Sequence, residues 1–174
     1  MELKSQDTLL ALKYWSMKQM GQESSVRELA EQIGISASEV SKGAKRLLAS
    51  RLIVEREGRF FAESGALFEW LGYGIRYAYP VERIGYGRGM ATSWNCPLLK
   101  TEIVPPSPPI VWPLAGGDIE GAYLKPIHDS VPFAASHDSY LYKAMALVEA
   151  VREGKPRELV IAREQLAHLI KGQS

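Results

Sequence analysis

Residues 25–63, SVRELAEQIGISASEVSKGAKRLLASRLIVEREGRFFAE, form the most specific pattern in the chain. Ser25 and, three residues later, Glu28 match the capping box with which many helices begin. The same spacing recurs at Ser36 and Glu39 and predicts a second helix. We therefore expect two helices that follow each other with only a short turn between them.

The residues between and after these helices predict a tight turn and a short hairpin. Gly34 is expected to end the first helix, because glycine readily adopts the positive φ of such a turn. The runs 52–56 and 59–62 are strand-like and are joined at Glu57-Gly58. The order helix, turn, helix, hairpin is thus predicted from local signals alone.

Two further helices are predicted on either side of this region. An amphipathic pattern covers residues 6–20, and a fourth helix is expected after Ser64. In the fourth helix Leu67, Leu71 and Ile75 are spaced four residues apart, so they should lie on one buried face.

The stretch 29–42, LAEQIGISASEVSK, resembles the helix-turn-helix of MarR-type winged-helix transcriptional regulators. The segments 45–48 and 52–54 extend the likeness into the hairpin, so that it covers residues 25–63. The resemblance implies a winged helix-turn-helix that binds double-stranded DNA with its second helix in the major groove. Gly43-Ala44 stands where such helices usually carry a larger residue, and is expected to loosen the packing locally.

A set of DNA-binding residues follows from this arrangement. Outward serine and lysine side chains of the second helix can read base edges, whereas Arg46 is better placed for a phosphate. The arginines beside the hairpin tip are expected to hold the DNA backbone or enter the minor groove. Between residues 36 and 61 six basic and three acidic side chains leave a local charge of +3. The predicted DNA-binding residues are Ser38, Ser41, Lys42, Lys45, Arg46, Arg56 and Arg59.

The composition of the 174 residues is that of a globular protein, with 46% hydrophobic and 24% charged residues. The net charge of +1 does not indicate nucleic acid, so any basic surface must be local. Residues 1–7 lack the apolar core of a secretory signal, and the longest uncharged stretch, 103–117, contains five prolines. Cys96 is the only cysteine, which excludes a disulfide framework. We expect a cytoplasmic protein with no membrane contact.

The placement of proline predicts three parts. None of the ten prolines precedes Pro80, and eight lie between Pro80 and Pro126. Because proline lacks a backbone donor, residues 80–126 are expected to form an irregular Pro/Gly-rich arm. Residues 1–79 are predicted as the winged helix-turn-helix domain with its following helix, and 127–174 as a C-terminal helical region. The expected fold class is α+β, mostly helical.

No segment carries a recognisable catalytic or cofactor motif. Residues 85–89, GYGRG, lack the strand-loop-helix context of a phosphate cradle and are expected to be a flexible loop. The doublets His128-Asp129 and His137-Asp138 have the residue types of a metal phosphohydrolase, but capping explains them better. Cys96 has no base or oxyanion motif. We therefore expect that the protein is not an enzyme and that it binds neither a metal nor an organic cofactor.

The C-terminal region predicts an antiparallel helix pair. A helix over 139–153 ends at Gly154, and Pro156 begins another. Two such helices cannot bury their apolar stripes alone, so they should pack on the N-terminal unit or on a second subunit. A homodimer is expected, since it would also read two half-sites of DNA.

Two functions remain open from the sequence. The first is sequence-specific binding of double-stranded DNA as a transcriptional regulator that represses at an operator. The alternative is a protein-binding module, such as the antitoxin of a toxin–antitoxin pair, which would grip its partner through residues 80–174 and regulate its own operon.

Overall fold

The computed structural model describes residues 1–172, in which an α+β fold is dominated by helices. The helices are α1 (Ser5–Met20), α2 (Val26–Ile33), α3 (Ala37–Ala49), α4 (Ser64–Glu69), α5 (Ile75–Ala78), α6 (Val131–Ser136), α7 (Ser139–Glu153) and α8 (Pro156–Lys171). A π-helical turn, Trp70–Gly74, joins α4 to α5, and 3-10 turns cover Ser93–Asn95 and Pro97–Leu99. The strands are β1 (Ile53–Arg56), β2 (Arg59–Ala62), β3 (Arg83–Ala91), β4 (Ile110–Pro113) and β5 (Ile119–Leu124).

The predicted helix starts of the N-terminal half are confirmed. The Ser25 hydroxyl accepts a hydrogen bond of 3.1 Å from the backbone N–H of Glu28, and Ser36 accepts one of 3.1 Å from Glu39. Gly34 ends α2 with φ of 73°, as the turn requires. The first helix and the hairpin also form within two residues of their predicted bounds. The fourth helix begins at Ser64, as expected, but a π-helical turn separates its first part, α4, from α5.

The prediction of an irregular arm over residues 80–126 is wrong for its three strands. β3 pairs antiparallel with both β4 and β5, and β4 pairs parallel with β5, so the three strands close on themselves. A Cβ at Gly89 would overlap the Trp112 carbonyl, and one at Gly121 would overlap that of Pro109. Gly89, which was predicted to lie in a flexible loop, and Gly121 instead permit these strands to approach closely.

The core is organised around α7. Every residue from Ala144 to Arg152 is buried, and α1 and α8 both pack on this helix. One cluster of buried apolar side chains extends from Leu9 to Ile170. The predicted pair α7–α8 is confirmed, and the stripe of α8, which includes Leu166, is buried inside the same chain.

A buried ion pair connects α1 to the start of α7. The Lys13 ammonium lies 2.8 Å from Asp138 Oδ2, which also accepts a 2.6 Å hydrogen bond from the Ser16 hydroxyl. Asp138 Oδ1 caps α7 by accepting from the backbone N–H of Leu141 at 3.0 Å. Burial by itself raises the pKa of Asp138, but these donors outweigh it and hold that pKa below its usual value.

A second buried polar cluster fastens the small sheet to the helices. The Trp112 indole donates to the Glu149 carboxylate at 3.1 Å, and Arg152 donates to the same carboxylate at 2.6 Å. Arg152 also donates to the carbonyls of Tyr79 and Pro80, which lead from α5 into β3. Side chains of α7 are therefore hydrogen-bonded both to β4 and to the segment that leads into β3.

Candidate nucleic-acid interface

The inner face of α3 fixes the direction of its outer face. Val40, Ala44 and Leu47 are buried against α1 and α2. Three residues separate the end of α2 from the start of α3, and Ala30 of α2 is 7% exposed at this junction. The core thus holds α3 by one side and leaves the other side to solvent.

Four of the predicted residues lie together on that outer side. Ser38, Ser41, Lys42 and Lys45 are all exposed, and their spacing of three and four places them on one helix face. Lys42 has a loose contact of 3.8 Å with Glu39, and its side chain is 61% exposed. The face therefore presents hydroxyl and ammonium donors to solvent.

Glu39 is the acidic residue closest to this face. A hydrogen bond from the Gln6 amide holds the pKa of Glu39 below its usual value, and nearby cationic side chains, including Lys4 and Lys42, lower it further. Glu39 is therefore ionised at neutral pH, with the ammonium groups of Lys4 and Lys42 each 3.8 Å from its carboxylate.

The Arg46 side chain, which was predicted to contact a phosphate, is directed toward α1. Its Nε and Nη2 donate to the Asp7 carboxylate at 2.7 and 2.9 Å, and its side chain is only 11% exposed. Asp7 also accepts a hydrogen bond from the backbone N–H of Lys4. Arg46 is thus occupied in holding α3 to α1, whereas the sequence interpretation assigned it to a phosphate.

Gly43 is the reason why α1 and α3 lie so close. A Cβ there would lie 2.9 Å from Asp7 Oδ1 and 2.9 Å from Leu10 Cδ2. The expected loosening of the packing is therefore not found, since the missing side chain makes room for the carboxylate that binds Arg46.

The hairpin presents the remaining two predicted residues. Glu57 and Gly58 have φ of 52° and 75°, which is the pattern of a type I′ turn. Arg56 and Arg59 are directly opposite each other at the base of this turn, and both are exposed. Two cations are thus held close together at the tip of the hairpin.

Arg59 has two partners, neither of which the sequence interpretation identified. Its Nη1 lies 2.6 Å from Glu23 Oε1, and its guanidinium lies 5.1 Å from the centre of the Phe61 ring. Glu23 belongs to the loop between α1 and α2, so this ion pair connects the hairpin to a separate element. Its only sequence signal was an acidic residue just before the Ser25 cap.

A groove of about 290 Å³ separates the hairpin from α1 and α2. Its floor contains the apolar side chains of Tyr14, Met17 and Leu29, and Glu23 and Arg59 lie at its edges. An adjoining recess is lined by Lys18, Arg56, Glu57, Arg59 and Phe61. The hairpin cations are therefore near a third cation from α1.

Side chains of the histidine doublets form hydrogen bonds within the fold, and Cys96 is buried. His128 Nδ1 accepts from the backbone N–H of Ser130 at 3.1 Å, and Asp138 caps α7. Burial raises the pKa of the Cys96 thiol. Within residues 1–172 no group of three or more His, Cys, Asp or Glu side chains is placed to hold a metal ion.

The exposed face of α3 and the hairpin tip are the two basic features of this region, and α3 contacts β1 directly. Among the helices of residues 1–172 none has the length and apolar character needed to cross a membrane. Comparison of the chain with protein-family models, curated proteins and solved structures gives no match.

Proposed function

We propose that this protein binds double-stranded DNA sequence-specifically as a transcriptional regulator that represses at an operator. In this proposal α2, α3 and the hairpin act as a winged helix-turn-helix of the MarR type. The observation that carries it is the exposed row Ser38, Ser41, Lys42 and Lys45 on a helix whose opposite face is buried. The major groove admits an α-helix, and these side chains suit the donor and acceptor pattern of base edges.

The hairpin arginines take a different part in the same complex. Arg56 and Arg59 lie at a tight turn beyond the helices, where they reach phosphates or the minor groove. Arg46 is not included among the DNA contacts, because the Asp7 carboxylate already occupies its guanidinium.

The experiment that tests this proposal is a binding titration with the chain's own upstream region and a scrambled duplex at several salt concentrations. A contact to a base edge discriminates by about 1–3 kcal/mol, whereas a phosphate contact serves every sequence alike. We expect Lys42→Ala to weaken binding to the upstream region far more than to the scrambled duplex. Arg56→Ala should weaken both and reduce the magnitude of the salt slope by about one unit.

Lys100→Ala provides a matched control, since it removes one exposed cation outside the helix-turn-helix and hairpin. It should bind both duplexes like the wild type. Wild-type protein without preference for its upstream region, together with a Lys42 variant that behaves like the wild type, would contradict the proposal.

A homodimer on DNA remains part of this proposal, because two copies would read two half-sites. The apolar stripes of α7 and α8 no longer argue for it, since they are buried within one chain. The reason to propose two copies is therefore an operator with two half-sites, and not an exposed apolar stripe on the protein.

A protein-binding role, such as that of an antitoxin, is the second candidate. It is supported by exposed aromatic side chains away from α3, since Tyr86 in the predicted partner region 80–174 is 62% exposed and Tyr77, just before that region, is 76% exposed. Aromatic residues of this kind are enriched in protein interfaces. Co-expression with the product of the adjacent reading frame tests it: Tyr77→Ala should abolish co-purification while Lys42→Ala leaves it intact.

A further inference from the structure

We propose that the Glu23 carboxylate occupies, on the Arg59 guanidinium, the position that a DNA phosphate takes when the hairpin binds DNA. Glu23 thereby lowers the affinity of the free protein for any duplex. The inference rests on the proposed function and concerns the same surface. It starts from the 2.6 Å contact between Glu23 Oε1 and Arg59 Nη1.

A carboxylate and a phosphate compete for a guanidinium because both offer anionic oxygens to the same donors. The Glu23 and Arg59 side chains are 69% and 48% exposed, so the pair is open to an incoming anion. Exposed ion pairs are weak, which allows a phosphate of the highly charged duplex to displace the carboxylate. The exchange costs part of the energy that Arg59 would otherwise contribute to DNA binding.

The surroundings of Arg59 favour an exchange of partners without a change of position. The guanidinium lies over the Phe61 ring on its own hairpin, and the type I′ turn fixes the hairpin itself. Glu23, in contrast, reaches Arg59 from the loop between α1 and α2, which also lines the 290 Å³ groove. When Glu23 leaves, Arg59 stays beside the cations Arg56 and Lys18, which also attract a phosphate.

Glu23→Gln tests this inference, since it removes the charge and keeps the shape of the side chain. We expect the variant to bind the upstream region and the scrambled duplex alike more tightly at low salt, by up to about fivefold. In an Arg59→Ala background the same substitution should lose most of this gain, because no guanidinium remains to be released. A double-mutant cycle over the four proteins measures that coupling.

Glu57→Gln is the matched control, because it removes an acidic charge from the neighbouring turn of the hairpin. The ion pair of Arg59 is made with Glu23, so Glu57→Gln changes only the charge near the hairpin tip, and its effect on DNA affinity should be nearly the same with and without Arg59. An equal gain from Glu23→Gln in both backgrounds would show that Glu23 acts only through its charge and would overturn the inference. Unchanged or weaker binding by Glu23→Gln, with an unchanged melting temperature, would overturn it too.

Different experimental results would contradict the role of Glu23 and the proposed function. A wild-type protein that binds no duplex at low salt contradicts both. A wild type that prefers its upstream region, combined with an uncoupled cycle at Glu23 and Arg59, leaves the regulator proposal standing and removes only the role of Glu23.

Discussion

At the scale of single residues, the structure divides the predicted DNA contacts into two groups. Ser41 and Lys42 point outward as helical spacing predicts, because spacing along one helix fixes the face on which a side chain lies. Arg46 turns inward because it binds Asp7, and Asp7 lies 39 residues earlier in the chain. No local pattern around Arg46 indicates that partner, so its role was beyond the reach of the sequence.

The contact between Asp7 and Arg46 gives a first prediction. Asp7→Ala leaves a guanidinium that is 11% exposed without its carboxylate, and breaking a buried ion pair on one side costs about 3 kcal/mol. We expect a loss of about that size in the free energy of unfolding, measured by urea denaturation. Glu2→Ala, at an exposed position, should change it by less than about 0.5 kcal/mol. A loss below about 1 kcal/mol for Asp7→Ala would contradict the structural role of the pair.

The lowered pKa of Asp138 predicts a dependence of stability on pH. An unfolded aspartate has a pKa of about 3.9, and the folded value lies below it. The carboxylate therefore contributes stability above the unfolded pKa, and this contribution is lost as the pH falls through the folded pKa. We expect Asp138→Asn to be less stable than wild type at pH 7, with the difference shrinking steadily as the pH is lowered below about 4. A difference that does not depend on pH would mean that the ionised form is not favoured by folding.

At the scale of elements, the features set by neighbouring residues were predicted and those set by distant strands were not. Helix caps at Ser25 and Ser36 and the hairpin turn at Glu57-Gly58 depend on residues a few positions apart. The pairing of β3 with β4 and β5 joins residues that are twenty or more positions apart. Glycine within β3 is a signal for a loop by itself and becomes a signal for close strand approach only when the partner strand is known.

The packing of α1 on α3 gives a prediction at Gly43. Alanine usually stabilises a helix by about 1 kcal/mol relative to glycine, but a Cβ here would press on Asp7 and Leu10. We therefore expect Gly43→Ala to lower the melting temperature, in spite of the better helix propensity. Ser41→Ala, two residues earlier on the exposed face, should leave it unchanged or raise it slightly. A Gly43 variant more stable than wild type would show that the close contact is not needed.

At the scale of the whole molecule, the N-terminal and C-terminal helices share one core. The sequence predicted that the pair α7–α8 must pack on the N-terminal unit or on a second subunit, and the structure shows that it packs on α1 and α4 of the same chain. The choice between an internal and an external partner depends on how the chain returns after the strands, which the sequence does not determine.

The burial of these helices predicts how many copies of the chain associate in solution and on DNA. We expect light scattering to give the mass of one chain for the free protein at micromolar concentration, because the stripes of α7 and α8 are covered. On a duplex with two half-sites we expect two copies per DNA, and on a duplex with one half-site a single copy. A stable dimer of the free protein would show that another surface, such as that around Tyr77, associates.

The ion pair between Lys13 and Asp138 restricts how this chain can be divided. The two residues are 125 positions apart, yet the ammonium of Lys13 is almost fully enclosed. A truncated chain that ends before residue 138 would leave a cation in the middle of α1 without a counter-charge, beside a surface shaped for α7. The segment from α1 to the hairpin is thus not expected to keep its structure when it is separated from the rest of the chain. During synthesis, too, it can reach its final state only after most of the chain has left the ribosome.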